Sequence, residues 1–222
     1  MATKPDLPEP LIFVPAQGRP QLLFVLLHGE AASPEQLLPL ADALKQAFPL
    51  CMVVLPHGYH DVTHQLPQLI GQVQQWQHAY GLSGQQTALA GFSQGASMAL
   101  EASHAQPDLV GRVLAFSGLY ATPPTDAPPA TMLHFFHGAN DRQVSVDQVE
   151  ATISRLAELQ GDATLDVASR IGHELHEALI KQAIVRLQTC VPLRSWEAAM
   201  SSMQQPADPG TPLLAGSDRT LH

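Results

Sequence analysis

Apolar residues recur along this chain in two rhythms that take turns. Short, nearly continuous apolar runs at 22–28, 51–55, 87–92, 112–117 and 131–137 fall below helix length and read as strands buried on both faces. Between them, 34–47, 63–80, 94–105 and 145–160 are longer and helical in character, the first opened by Ser33 as N-cap and Pro34 in the first turn. The segment Ala-Thr-Leu-Asp-Val-Ala-Ser-Arg at 163–170 alternates apolar and polar residues, which predicts a half-exposed edge strand. A last helix follows over about 174–190. Strands alternating with helices of these lengths predict an α/β fold, a mostly parallel central sheet with helices on both faces.

Candidate chemistry lies at the ends of the strands. Gly91-Phe92-Ser93-Gln94-Gly95 joins the strand at 87–92 to the helix at 94–105, the setting of a nucleophile elbow. Ser93 there needs a strained backbone, and side chains at Gly91 and Gly95 would collide with the neighbouring strand and helix. A serine hydroxyl is a weak nucleophile at neutral pH and needs a base that takes its proton and returns it to the leaving group. His173 follows the last strand and stands on a loop, placed to do this. Asp141 lies just past the strand at 131–137, where it can fix the tautomer of His173 and stabilise its imidazolium. Asp147 and Asp166 are the rival acids, but they fall in a predicted helix and in mid-strand.

Taken together these residues resemble the serine α/β-hydrolases of the carboxylesterase / acyl-protein thioesterase (phospholipase/carboxylesterase) family, nearest to its small bacterial esterases. The shared marks are His28-Gly29, Gly91-Phe-Ser-Gln-Gly95 with Ala96-x-Met-Ala-Leu100, Phe116-Ser-Gly118, His137-Gly-x-x-Asp141 and Gly172-His173, which span about residues 20 to 190. The resemblance implies an α/β-hydrolase fold without a large lid and hydrolysis of carboxylic esters or thioesters without cofactor or metal. It also implies an oxyanion hole made by the backbone N–H groups of Glu30 and Gln94, with Gly29 shaping the early turn. Each well-aimed donor is worth about 3 kcal/mol in the transition state. The Glu30 carboxylate would oppose a nearby oxyanion, so its side chain is expected to point outward.

Two departures qualify the resemblance. Where the family's early loop reads His-Gly-x-Gly-Asp, this chain has His28-Gly29-Glu30-Ala31-Ala32. The stretch after Pro56 is short and lacks the tryptophan-containing loop that lines the acyl site in relatives. The reading is therefore a serine carboxylesterase acting on small acyl esters. A thioesterase or deacylase on an acylated protein or cofactor, and a catalytically weak scaffold used for binding, stay open beside it.

Composition narrows the partners. At 222 residues and 45% hydrophobic, one domain over 1–192 is expected. An extension over 193–222, rich in Pro, Ser, Gln, Asp and Gly, is expected to be disordered from about 205. A net charge of −9 argues against nucleic acid and anionic membrane surfaces as partners. Cys51 and Cys190 read as free thiols, and with no apolar leader or span the expected location is cytoplasmic. His57, His60, Asp61 and His64 are read as a solvated loop near the substrate mouth rather than a metal site, and Trp76, Val73 and Tyr80 as core.

Overall fold

Each of the short apolar runs forms a strand in the computed structural model, which describes residues 8–59 and 61–189. The strands are β1 (Leu11–Phe13), β2 (Leu22–Leu27), β3 (Cys51–Leu55), β4 (Thr87–Phe92), β5 (Arg112–Phe116), β6 (Met132–Gly138) and β7 (Ala163–Ala168). They form one seven-stranded sheet in the order β1-β3-β2-β4-β5-β6-β7. Only β1 runs antiparallel, against β3; the other pairings are parallel. β1 was not foreseen, because four apolar residues between Pro10 and Pro15 carry no periodic signal.

Period-two geometry sorts the apolar strand residues into two layers. Leu23, Val25 and Leu27 of β2 join one buried cluster with Met52, Val54, Leu89, Val113, Ala115, Leu133 and Phe135. Phe24 and Leu26 join the other with Val53, Leu55, Ala90, Leu114, Phe116 and Phe136. The first layer is covered by α2 (Val62–Tyr80), α3 (Gln94–Ala105) and α4 (Val146–Glu158), the second by α1 (Leu38–Ala47) and α5 (Glu177–Thr189). Burying each such Leu or Phe contributes about 1.5–3 kcal/mol, and a sheet covered on both faces explains why β2 carries no polar alternation.

Local chemistry sets the helix ends, and some differ from expectation. Pro34–Leu37 is a 3-10 turn closed by the Leu38 N–H on Glu35 O, and α1 begins only at Leu38. Pro39 cannot donate to the carbonyl four residues back, which disfavours one continuous helix from 34. Asp61 caps α2 by accepting from the Thr63 and His64 amides at 2.9 and 3.1 Å. Gly81 ends it with φ 67°. α5 starts at Glu177 rather than 174, with His176 Nδ1 accepting from the Ala178 amide at 3.1 Å.

Two side chains correct the sequence reading. Tyr59, expected in a solvated loop, is fully buried and donates its hydroxyl to Gln72 Oε1. Tyr80, expected in the core with Val73, is 39% exposed, while Val73 is buried. His60, Cys190 and the extension over 193–222 lie outside the described residues. No described helix is long and apolar enough to cross a membrane.

Candidate active site

The strand order reverses between β2 and β4, the point where open α/β sheets leave a crevice beyond their carboxyl ends. Ser93 stands there between β4 and α3 with φ 53° and ψ −117°. A non-glycine residue in that region stores strain, and the surroundings over-determine it. The Ser93 amide donates to Phe116 O at 2.9 Å, and its carbonyl accepts from the Ala96 and Ser97 amides at 3.0 and 3.2 Å. A Cβ on Gly91 would lie 2.2 Å from the backbone carbonyl atoms of Gly95, and one on Gly95 would lie 2.1 Å from Leu27 O. Gly118 is equally constrained, 2.4 Å from Ser93 O. Gly29 is less so: its φ is not left-handed, and an added Cβ would meet the Phe92 ring at 3.3 Å and Gln36 Oε1 and Phe92 O at 3.5 Å.

The three residues read as nucleophile, base and acid meet in one line. His173 Nε2 is 3.0 Å from Ser93 Oγ, and His173 Nδ1 is 2.8 Å from Asp141 Oδ2. A carboxylate only accepts, so Nδ1 carries the proton and Nε2 offers a lone pair to the serine hydroxyl. The Asp141 side chain is fully buried. Burial alone would raise its pKa, but the amides of Val144 and Gln143 and the His173 ring bond the ionised form and hold it below the usual carboxylate value. The two loops are stitched together by Ala139 N to Ala168 O at 2.9 Å and Asn140 N to Ile171 O at 2.8 Å. The His173 ring rests on Phe92, with centroids 5.0 Å apart.

Glu30 lines the same cavity as Ser93 and His173, and Gln94 follows Ser93 as the first residue of α3. Neither amide has a protein acceptor among the described residues. The early loop is held by Gln36 Oε1, which accepts from the Gly29 amide at 2.9 Å. His28 is buried between Gly29 O at 3.0 Å and the Gly58 amide at 3.3 Å. Ala31 has φ 54°. An open cavity of about 330 Å³ is lined by Gly29, Glu30, Ala31, Gln36, Phe92, Ser93, Gln143 and His173. Glu30 is exposed and forms part of the cavity wall.

The rival acids are engaged elsewhere. Asp166 pairs with Arg186 at 2.8 Å and accepts from Gln182, while Asp147 lies in the first turn of α4. Among the described residues no group of three or more His, Cys, Asp or Glu could hold a metal ion. Gln36 and Gln143 were not singled out in the sequence. A lone glutamine in a helix or loop carries no signal of its own, and only the folding of distant segments brings both to the cavity.

A profile of the phospholipase/carboxylesterase family matches residues 59–191. The chain belongs to that family. It is 37% identical over 136 residues to esterase YpfH of Escherichia coli (strain K12), a match that covers 61% of this chain and 59% of that protein, less than two thirds of its length. The crystal structure of esterase PE8 superposes with a TM-score of 0.75 at 26% identity over 81% of this chain and 97% of that one. The Bacillus cereus carboxylesterase shares the fold with a TM-score of 0.69 at 16% identity, covering 81% and 92% of the two chains. Family membership accounts for the mostly parallel sheet and the elbow.

Proposed function

We propose that the chain is a serine carboxylesterase in which Ser93 is the nucleophile, His173 the general base and acid, and Asp141 the residue that orients and stabilises His173. The observation that carries this is the unbroken pair of hydrogen bonds, 3.0 Å from Ser93 to His173 and 2.8 Å from His173 to Asp141. Ser93 Oγ attacks the ester carbonyl while its proton passes to His173 Nε2. The tetrahedral oxyanion is received by the amides of Glu30 and Gln94. His173 then protonates the departing alkoxide, and the acyl group stays on Ser93. A water, deprotonated by the same nitrogen, attacks that acyl group; the second tetrahedral intermediate collapses, releases the carboxylic acid and returns the proton to Ser93. An open cavity of about 330 Å³ suits short acyl chains and leaves no cover for a long one.

The same chemistry would cleave thioesters, but no observation on the cavity wall favours a thiol leaving group. A pure binding scaffold has no use for an ionised carboxylate buried behind a strained serine. Intact mass after treatment with a fluorophosphonate, together with p-nitrophenyl acetate and butyrate hydrolysis, tests the reading in wild type and Ser93→Ala. One label per chain, lost with hydrolysis in the variant, is the expected result. Unlabelled, folded wild type would overturn it.

A further inference from the structure

Asp141 is approached by two imidazoles, and the hydrolytic reading uses only one. His137, the penultimate residue of β6, is buried with its side chain 1% exposed. Its Nε2 lies 2.8 Å from Val144 O and 3.4 Å from Asp141 Oδ2. A carbonyl only accepts, so Nε2 bears a proton; the shorter contact is its hydrogen bond, and the same N–H faces the carboxylate at longer range.

Val144 is thereby held at both ends of its backbone. Its amide donates to Asp141 Oδ1 at 3.0 Å and its carbonyl accepts from His137. The Gln143 amide adds a second donor to Oδ1 at 2.8 Å. The loop from 137 to 144 thus closes into a ring around the carboxylate, with Oδ1 fixed by the loop's own amides and Oδ2 left for His173. Gly138 locks the ring against the His173 loop, since a Cβ there would lie 2.4 Å from the carbonyl oxygens of Ile171 and Gly172. A phenylalanine could fill the volume of the His137 ring without burying a polar group, so the imidazole is explained by what its N–H holds.

We infer that His137 is a positioning residue: its Nε2–H fixes the Val144 carbonyl and faces Asp141, setting the carboxylate rotamer from which His173 is oriented. The inference rests on the esterase reading of Ser93, Asp141 and His173, yet its geometry can be read without turnover. The test compares His137→Gln, whose amide nitrogen reaches the place of Nε2, with His137→Phe, which fills the space and donates nothing. Rates of p-nitrophenyl acetate hydrolysis are normalised to sites titrated by fluorophosphonate. The downfield proton resonance of the His173 Nδ1–H is followed in the resting protein.

In His137→Phe, kcat per titrated site is expected to fall roughly 10–100-fold with KM within about twofold, because misplacing a catalytic group acts on the transition state. The resonance should shift or exchange away, and His137→Gln should recover most of both. Equal losses in the two variants with the resonance unmoved would make His137 a structural plug and overturn the inference, as would an unchanged kcat in His137→Phe. Should that variant fail to fold, His137→Asn takes its place, its nitrogen reaching only the position of Nδ1. Wild type that neither labels nor hydrolyses overturns the esterase reading, while the resonance still decides the role of His137.

Discussion

Gly91 and Gly95 face each other across the Ser93 turn so closely that a Cβ on the first would sit 2.2 Å from the carbonyl carbon and oxygen of the second. The obstacle is backbone on both sides, because Gly95 in turn abuts Leu27 O at the end of β2. No side-chain rotation relieves such a clash, so the elbow itself must move. Gly95→Ala is expected to cost about 1–3 kcal/mol of stability. It should also lower kcat per fluorophosphonate-titrated site by more than tenfold, since α3 carries the Gln94 amide. Urea unfolding and titrated rates check this together; a stable variant with full activity would show that the turn tolerates displacement.

Ala31 occupies the place where the family's loop pattern has its second glycine, and it keeps the left-handed backbone with φ 54°. An L-residue pays about 1–2 kcal/mol for that conformation, whereas glycine gives back about 0.4–1 kcal/mol through its freer unfolded chain. Ala31→Gly should therefore leave stability unchanged or raise it by up to about 1.6 kcal/mol on these figures. A loss of stability in urea unfolding would mean that the alanine methyl makes contacts worth more than the strain.

Glu30 is exposed and lines the cavity, and its amide has no protein partner among the described residues. Glu30→Gln keeps the amide and removes the charge. An exposed charge acts through water and is screened within about 10 Å at 0.1 M salt. Hydrolysis of neutral esters should accordingly rise by less than tenfold, and the gain should shrink as salt is added. A fall in rate would show that the carboxylate contacts the substrate favourably.

Much of the site was legible because its residues sit where strands end. The apolar run 87–92 followed by small, helix-favouring residues fixes the elbow, and the structure places β4 and α3 over the same residues. Asp141 and His173 follow strands in the same way, and the line of hydrogen bonds they form with Ser93 is a property of the fold that no spacing reveals. What escaped was non-local. Tyr59 lies among histidines and glycine yet fills the core, and residues 174–176, expected in the last helix, stay irregular. His137 carries a family mark in the sequence, but its contacts with Val144 and Asp141 depend on how the loop after β6 folds back.

The acid limb of stability should carry two separable steps. His134 is fully buried on β6, with Nδ1 2.8 Å from Thr164 Oγ1 and Nε2 lacking a partner among the described residues. Burial, reinforced by the charges of Arg112 and Arg186 and opposed by Asp166, pushes its pKa down from 6.5 to about 4. A depressed histidine favours the neutral fold, so the unfolded chain binds the extra proton first. Stability then falls as pH drops from about 6.5 to about 4 and levels off below, by an amount on the order of 3 kcal/mol. Asp141 acts lower down. Its folded pKa is depressed, so its contribution is complete above the unfolded value of about 3.9 and is lost as pH falls through the folded one. His134→Leu should flatten the pH dependence of urea unfolding between about 6.5 and 4 while leaving the steeper fall beneath it. Thr164 is only partly buried and can turn its hydroxyl to water, so the substitution strands no donor. An unchanged slope in that window would mean that the buried ring takes up a proton in the folded protein as readily as in the unfolded chain.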